Sequence, residues 1–188
     1  MEQKPKRRFY LQEFKAISHA ISTYDDFNLL VNHIAEGTAR SFYAKGCSIM
    51  LLDEREKRLF LVGSYGISEA YLRKGPIFVD ERYCAFFSGE PVFVEDMSTD
   101  TRIHYPEAAV KEGIASMFSV PIKYRQSIIG TIRIYQSEYG AIHDEDIDSM
   151  RILAEHLGLV IENNGLRNFV EKIKMAMESL PVRMLEGL

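Results

Sequence analysis

The chain has no tryptophan and few cysteines or prolines. Its 188 residues include two cysteines, Cys47 and Cys84, and 6 prolines. Two cysteines without a spaced Cys/His set exclude a disulfide-stapled secreted domain and a zinc finger. A net charge of -4 argues against a general binder of nucleic acid or of anionic membranes. The longest apolar run, around Ile49 to Leu52, has the length of a strand, whereas a membrane span needs roughly 18 residues.

The amino-terminal region lacks the uninterrupted apolar stretch of an export signal. Residues 1–8 are basic, and the segment after them is amphipathic. We therefore expect a cytoplasmic protein whose residues 1–8 are frayed and solvated. A hydrophobic content of 46% and a charged content of 27% are typical of a folded domain that needs no metal or disulfide to hold it together.

Three segments have the three- and four-residue apolar spacing of amphipathic helices. The first runs over Phe9–Ile21, and the second over Phe27–Phe42 after a run of turn and N-cap residues. The third begins near His143, with acidic residues where the helix dipole favours them. Its apolar rhythm continues to Leu180, and a break would fall at Gly165, since glycine costs about 1 kcal/mol inside a helix.

Between the second and third helices the apolar pattern changes to a period of two or to short runs, which predicts strands. Ser48–Leu52 and Leu59–Tyr65 form one hairpin, and Ala115–Lys123 and Ile128–Tyr135 form another. A short strand is expected at Val92–Glu95.

Strand runs flanked by separate helices indicate an α+β fold, with an antiparallel sheet and a helical layer on one face. The strands are apolar on both sides, so residues 66–114 must cover the other face. Short helices are predicted there over residues 67–74, 82–88 and 106–112.

Five segments of the chain stand in a characteristic order. They are SIMLLDE, LFLVGSYGISEAYLRKGP, SGEPVFVEDMSTDTRI, PEAAVKEGIASMFSVPIKYRQSIIGTIRIYQSE and DIDSMRILAEHLGLVIENN. The most specific part is G-E-P-V-x-V-x-D followed by the S-x-P and I-G-x-I strands. This ordered set resembles the GAF domain family of small-molecule sensory modules. The resemblance implies a GAF/PAS-like antiparallel sheet of about six strands, a helical layer that often dimerises, and a ligand pocket on the opposite face. It divides the chain into a basic terminus (1–8), a GAF-like domain (9–168) and a C-terminal helical extension (169–188).

Some GAF domains are free methionine-sulfoxide reductases, and this enzyme is one alternative. Its chemistry needs a nucleophilic thiolate and a resolving thiol above the pocket. Cys84 lies near the first such position, but residues 100–113 contain no cysteine, and Cys47 is a core candidate. Positions that are acidic in these reductases correspond to Arg133, Tyr135 and Met117. We therefore expect a non-catalytic module.

No cofactor or metal is expected, because the signatures of cofactor-binding GAF domains are incomplete here. Bilin-binding domains use a cysteine usually followed by histidine, whereas Cys84 precedes Ala85. His104 alone is a weak signal for haem, and the Asn-Lys half of the cyclic-nucleotide signature is missing. The acidic loop from Glu95 to Glu107 is interpreted as turn and helix caps rather than as a metal site, with Asp96 bonding nearby backbone N–H groups.

Strand alternation locates the candidate ligand site. Successive side chains along a strand point to opposite faces of the sheet. In residues 128–135, positions 128, 130, 132 and 134 therefore face the helices, and Ile129, Thr131, Arg133 and Tyr135 face the pocket. The preceding strand and the covering segment complete the site. The predicted ligand-binding residues are Arg82, Tyr83, Phe87, His104, Tyr105, Met117, Ser119, Thr131, Arg133 and Tyr135.

Arg133 decides between two functional hypotheses, because an arginine midway along a buried strand is costly unless it is paired. In the first, Arg133 and Arg82 bind an anionic group such as a carboxylate or phosphate, with aromatic rings around the rest of the ligand. In the second, Arg133 forms a salt bridge to Glu95 or Asp96 inside a filled cavity. The first predicts a small-molecule sensor, and the second predicts a protein-interaction scaffold.

Surplus apolar side chains on the terminal helices predict a homodimer. The stripe of Leu166, Phe169, Ile173 and Met177 forms either a dimer seam or a surface that folds back on its own sheet. A separate signalling protein is a further candidate partner, whereas nucleic acid and membrane are not expected partners.

Overall fold

The computed structural model describes residues 6–9, 11–24, 26–79 and 88–178. The described helices are α1 (Leu11–Thr23), α2 (Phe27–Ser41), α3 (Glu69–Leu72), α4 (Pro106–Glu112) and α5 (Asp144–Glu178). The strands are β1 (Gly46–Asp53), β2 (Arg58–Tyr65), β3 (Ile77–Phe78), β4 (Val92–Val94), β5 (Ser116–Tyr124) and β6 (Ser127–Gln136). Among the described helices, none combines the length and apolar character that crossing a membrane requires.

The strands form one antiparallel sheet of six strands in the order β3-β2-β1-β6-β5-β4. Both predicted hairpins, β1–β2 and β5–β6, are present, and pairing of β1 with β6 joins them at the centre. The predicted α+β class is confirmed. The two-residue strand β3 was missed because two residues are too few to show a period.

Helices α2 and α5 cover one face of this sheet, and α1 packs against both of them, so the helices lie on one side as predicted. Asp26 begins α2 by accepting a hydrogen bond from the Leu29 N–H at 3.0 Å. The apolar stripe of α2 is buried against the strands, and each large side chain buried in this way contributes roughly 1.5–3 kcal/mol. The core on this side includes Val31, Ile34, Phe42, Ile49, Phe118, Ile132, Ile134, Met150, Leu153 and Leu157.

Helix α5 lies close to the sheet where its backbone meets β5. A Cβ on Gly158 would stand 2.0 Å from the Lys123 carbonyl oxygen, so this crossing needs a glycine. The helix continues through Gly165 without the break allowed by the sequence, because the helical cost of one glycine does not end an otherwise regular helix. The boundary predicted at residue 168 therefore falls inside a continuous helix, and the domain division stays a prediction.

A β-bulge corrects the predicted alternation of β6. Gly130 pairs with Ile122 and Ile128 pairs with Lys123, so Ile129 is an extra residue on β6. The bulge turns Ile129 toward the helix-side core, where it packs, and the prediction that it faces the pocket is wrong. Beyond the bulge the predicted alternation holds, with Ile132 and Ile134 in the helix-side core.

Residues 6–9, here called the N-terminal strap, are tied to the start of α5. Asp146 is 1% exposed, and its carboxylate accepts hydrogen bonds from the backbone N–H groups of Arg8 (2.9 and 3.1 Å) and Phe9 (2.8 Å). The Arg8 guanidinium donates to the Phe42 carbonyl oxygen at 2.7 Å, and the buried Phe9 ring packs on Phe42. One buried carboxylate therefore joins the chain before α1 to the first turn of α5.

Replacement of Asp146 with alanine is expected to destabilise the fold by about 2–4 kcal/mol, because it leaves the buried N–H of Phe9 and the half-buried N–H of Arg8 without an acceptor. Urea unfolding measures this free energy. Asp148→Ala, at an exposed site two residues away, is the matched control and should change stability by less than about 0.5 kcal/mol. Equal stabilities of the two variants would contradict the role of Asp146.

Candidate functional site

The floor of the candidate site is the face of the sheet opposite α5, centred on β6. Arg133 is 4% exposed and pairs in register with Ser48 on β1 and Ser119 on β5. Tyr135 and Thr131 flank it on the same face of β6 and are also buried. The structure thus places a guanidinium inside the protein, at the middle of the central strands.

The hydroxyl groups around Arg133 bond to one another within the floor. Ser48 Oγ lies 3.0 Å from Tyr135 Oη, and Ser119 Oγ lies 2.9 Å from Thr131 Oγ1. Thr131 Oγ1 also donates to the Val120 carbonyl oxygen at 3.1 Å. These contacts satisfy buried polar groups that would otherwise be costly, and they hold the three central strands together.

The segments that cover this floor, here called the roof, have two described halves, residues 66–76 and 95–114, which are joined by hydrogen bonds. Tyr105 Oη donates to the Pro76 carbonyl oxygen at 2.8 Å, and Ser68 donates from its N–H (2.9 Å) and its hydroxyl to the Glu112 carboxylate. Gly75 has φ +137, and a Cβ there would lie 2.4 Å from Tyr105 Oη. A glycine is therefore required where the two halves close on each other.

Between floor and roof lies a cavity of about 10 Å³, the space that one water molecule needs. Side chains from α3, from the segment after it, from the loop before α4 and from the floor all reach it. Its described lining consists of Tyr71, Lys74, Ile77, Met97, Ile103, His104, Tyr105, Met117 and Arg133.

Two cations, Lys74 and Arg133, meet at this cavity. Lys74 Nζ donates to the Tyr71 carbonyl oxygen at 3.1 Å and lies 3.7 Å from the centroid of the Tyr71 ring. The pKa of Lys74 is lowered to about 8, and burial is the largest cause. The positive charge of Arg133 also contributes to this lowering, whereas the negative charge of Glu112 opposes it. The Tyr71 ring packs edge-on against Tyr135 at 5.7 Å, which connects the roof to the floor.

Some polar atoms at the site are buried without a hydrogen bond. These are Arg133 Nε and both ring nitrogens of His104, although both side chains have other interactions in the structure. The His104 ring lies 6.2 Å from the Tyr105 ring.

The structure divides the predicted site residues into three groups. His104, Tyr105, Met117 and Arg133 line the cavity together. Ser119, Thr131 and Tyr135 lie in the floor, where their hydroxyls bond within the sheet. The remaining three, Arg82, Tyr83 and Phe87, fall outside the described residues. A ligand-binding role for any of them stays a prediction.

Sequence reasoning missed Lys74 and several of its neighbours. The sequence analysis puts Lys74 at the end of the short helix predicted over residues 67–74, directly before Gly75, and that pattern does not indicate a buried position; in the structure this helix ends at Leu72. Only the fold places it opposite Arg133. The other unpredicted lining residues are Tyr71, Ile77, Met97 and Ile103.

The acidic loop shows the turn bonding expected of it. Asp96 accepts hydrogen bonds from the N–H (2.8 Å) and hydroxyl (2.6 Å) of Ser98, and these bonds lower its pKa. Asp100 accepts from the N–H of Arg102 at 2.9 Å. Within the described ranges there is no group of three His, Cys, Asp or Glu side chains placed to hold a metal ion.

Cys47 lies in the helix-side core rather than at the cavity. It is fully buried, and burial raises the pKa of its thiol far above the usual range. Cys84, which also entered the reductase alternative, lies outside the described residues.

Comparison with known families identifies this class of protein. A family model for the GAF domain matches residues 26–162, and the chain belongs to the GAF domain family. Domains of this family are typically sensory or regulatory modules and generally non-catalytic. No protein of curated function matches the sequence.

Solved GAF structures have the same fold. The GAF domain of an Acinetobacter phosphoenolpyruvate-protein phosphotransferase is 19% identical, with a TM-score of 0.71 over 84% of this chain and 96% of that chain. Its Coxiella burnetii counterpart is 17% identical, with a TM-score of 0.72 over 84% and 95%. Free methionine-R-sulfoxide reductase from Neisseria meningitidis, solved with its substrate, is 15% identical, with a TM-score of 0.67 over 89% and 99%. At these identities the likeness concerns the fold alone.

Removal of the Tyr105 hydroxyl is expected to loosen the roof, because it deletes the bond to Pro76 without emptying the cavity. In Tyr105→Phe, hydrogen exchange at the amides of residues 72–74 should accelerate about threefold to tenfold, the equivalent of one neutral hydrogen bond. Tyr43→Phe removes a hydroxyl from a side chain that is 87% exposed and should leave exchange unchanged. Identical exchange in the wild type and Tyr105→Phe would contradict the role of this bond.

Proposed function

We propose that this GAF domain is a non-catalytic sensory module that binds a small anion in the cavity between sheet and roof. The observation that carries the proposal is the convergence of Lys74 and Arg133 on that cavity. They come from different layers, Arg133 from the floor and Lys74 from the roof, so an anion between them would join the two layers.

Electrostatics favours an anion at this position. Two like charges in a partly desolvated site repel, and the lowered pKa of Lys74 reflects both its burial and that repulsion. A negative group between Lys74 and Arg133 would attract both cations, in a place where water screens them poorly. Binding would therefore return the pKa of Lys74 toward its ordinary value.

The small cavity implies that binding moves side chains. Its volume of about 10 Å³ holds one water molecule, so a larger anion must displace part of the lining. Lys74, Met97 and Met117 are unbranched and flexible, and they can rearrange at low cost. Movement of Lys74 would act on α3 and on the contacts across the roof, which is a physical route from ligand to conformational signal.

The chemistry of the described residues supports a non-catalytic role. The reductase alternative needs a reactive thiolate at the pocket, whereas Cys47 is in the opposite core with a raised pKa. Arg133 and Met117 line the cavity where an amino-acid ammonium would need acidic partners. This chemistry suits an anion better than an amino-acid substrate.

The proposal is tested by titrating the protein with sodium nitrate, sulfate, phosphate, formate and acetate at constant ionic strength. At least one anion should raise the melting temperature and shift the Arg133 side-chain NMR signal. Arg133→Met and Lys74→Met should each weaken that anion about tenfold or more, because each removes one charge-assisted contact. Lys111→Met, an exposed lysine on α4, is the matched control and should bind like the wild type.

The same titration has a defined pH dependence. Lys74 is protonated below pH about 8 and neutral above it, so affinity should fall as pH rises through that value. The charged groups that influence Lys74 keep their charges over this range, because the pKa of Glu112 is lowered and an arginine such as Arg133 stays protonated. The loss of affinity with rising pH should disappear in Lys74→Met. Absence of binding by every anion, or equal binding by all variants, would overturn the proposal.

A second candidate function is a dimeric interaction scaffold with a filled pocket. It is supported by the near absence of free volume in the cavity and by apolar side chains on the C-terminal half of α5. Leu166, Phe169, Val170 and Ile173 are 44–62% exposed and follow three- and four-residue spacing along one face. Met177, also predicted for this stripe, is outside the described side chains.

A groove beside this stripe supports pairing through both terminal helices. It is lined by apolar side chains at the end of α1 and the start of α2, together with α5 residues that include Val160 and Asn164. The exposed apolar stripe on α5 lies next to this groove, and a second copy of the chain would bury both the stripe and the groove.

Sedimentation at micromolar concentration should show a dimer for the wild type and a monomer for Phe169→Ser/Ile173→Ser, because the double change removes the centre of the apolar stripe. Lys172→Ser, an exposed residue on the same turn, is the control and should remain dimeric. A monomeric wild type would end the dimer proposal without affecting anion binding.

A further inference from the structure

We propose that a basic groove beside the N-terminal strap is a second binding site, which holds an acidic peptide segment of a partner protein. This groove is here called the strap groove. It is independent of the anion site proposed above, because the described lining residues of the two sites are different.

Three parts of the chain build the strap groove. It is lined by residues 6–8 of the strap, by Glu13 of α1, and by Arg40, Ser41 and Tyr43 at the end of α2. Its volume of about 580 Å³ is in the range of pockets that hold organic ligands and far exceeds the space of one small anion. The hydrogen bonds from the strap to Asp146 keep residues 8 and 9 in place, so the strap side of the groove is fixed by the fold.

Two guanidinium groups of the strap groove are anchored to different partners. The Arg8 guanidinium donates to the Phe42 carbonyl oxygen at 2.7 Å. The Arg40 guanidinium lies 2.7 Å from the Glu36 carboxylate. These contacts set where each cation stands, and they suit a ligand with several separate negative groups better than one compact anion.

The anchoring contacts leave Arg8 and Arg40 able to bind a second group. The partner of Arg8 is a neutral carbonyl, which takes one of the five N–H donors of the guanidinium and leaves its charge in place. The partner of Arg40 is an exposed carboxylate four residues away, and such pairs contribute little free energy, so a bound carboxylate can compete. Lys6 adds an exposed ammonium. Arg7 pairs with Glu145, and the proposal assigns it no ligand contact.

Tyr43 is an aromatic residue at a backbone position that favours glycine. It follows the end of α2 with φ +50, and its N–H donates to the Arg40 carbonyl oxygen at 3.1 Å. The next N–H, from Ala44, donates to the Ala39 carbonyl oxygen at 2.9 Å. This is the Schellman motif, whose left-handed residue is usually glycine because a Cβ is strained there. A bulky side chain at such a φ is rare.

The Tyr43 ring gives the fold little in return for this strain. Its side chain is 87% exposed, so it adds little buried area to the core. A strained residue whose side chain is unused within the fold indicates a function outside it. Tyrosine and arginine are also the residue types that contribute most to many protein interfaces. The ring therefore suits an apolar side chain of the bound segment.

The negative groups around the strap groove favour a peptide over a polyphosphate. Glu13 lines the groove, and Glu36 holds Arg40. The C-terminal end of α2 adds the negative end of a helix dipole. A nucleic acid or an anionic membrane would bring uniform negative charge against these groups and against the chain's net charge of -4. An acidic peptide can instead place neutral side chains and backbone N–H groups opposite them.

The experiment measures the fluorescence anisotropy of a labelled peptide, Asp-Glu-Asp-Phe-Glu-Asp-Glu, titrated with the full chain at pH 7 and low, constant ionic strength. The peptide should bind saturably. It should bind at least about fivefold more tightly than its neutral counterpart, Asn-Gln-Asn-Phe-Gln-Asn-Gln, because only the acidic peptide can pair with the cations.

Charge variants connect this binding to the strap groove. Lys6→Gln and Arg40→Gln should each weaken the acidic peptide about twofold to fivefold, and the double variant about tenfold, since each change removes one exposed ionic contact. Arg73→Gln is the matched control and should bind like the wild type. Arg73 is exposed and pairs with Glu69 four residues before it, as Arg40 pairs with Glu36.

Tyr43→Gly separates binding from stability. Glycine relieves the left-handed strain, so the melting temperature should rise by about 2–4 °C. Loss of the ring should at the same time weaken the acidic peptide about fivefold or more. Tyr43→Phe keeps the ring and should bind and melt like the wild type. A purely structural role of Tyr43 would not combine higher stability with weaker binding.

Each contrary result overturns the proposal or a stated part of it. Equal binding of the acidic and neutral peptides, or of the wild type and the double variant, would overturn the acidic ligand. Tighter binding of a short DNA duplex, or of vesicles of phosphatidylserine and phosphatidylcholine, with loss in the double variant, would overturn the peptide as the partner. Unchanged binding by Tyr43→Gly would overturn the role of the ring. Loss of peptide binding in Lys74→Met would place the peptide at the cavity and overturn the strap groove as its site.

Discussion

The organisation of this domain depends on keeping the Arg133 guanidinium inside the protein. Arg133 lies at the middle of β6, the strand of the second hairpin that pairs with β1 of the first, and it is 4% exposed. A buried cation is costly unless polar or anionic groups surround it, so polar groups must accompany the apolar residues on this face. Hydroxyl pairs lie in the floor beside it, and the roof brings a second cation, Lys74, together with apolar side chains. The opposite face of the same strand supplies the apolar core with Ile132 and Ile134.

The two faces of the sheet are held in different ways. The helix-side face is held by one large apolar core, including the contact of Gly158 with the β5 backbone. The cavity-side face has two smaller apolar clusters, one that includes Met97 and Met117 and one that includes Ile77, and it adds hydrogen bonds such as those from Tyr105 to Pro76 and from Ser68 to Glu112. Through Asp146, the same helical layer also fixes the strap before α1 to the start of α5.

Local pattern was a good guide where one physical rule dominates. The buried stripe of α2, the two hairpins and the acidic start of α5 follow from periodicity and from the helix dipole. Pattern was a poor guide where one residue changes the register. Ile129 is an isoleucine in an alternating strand, and only its pairing opposite Lys123 and Ile122 reveals the bulge. Lys74 is the last residue of a predicted short helix, and nothing in that pattern signals that its side chain is directed into the protein.

The sequence by itself determined the α+β class, the presence of an ordered set of GAF-like segments and the presence of an arginine on the inner face of the last strand. These properties depend on neighbours along the chain and on strict periods, which a linear sequence records. Only the tertiary structure decided that Lys74 faces Arg133, that Ile129 belongs to the other core, and that the cavity has the volume of one water molecule. Those properties depend on the packing of segments far apart in the chain, because distances between side chains are set by how layers close on each other and not by spacing in sequence.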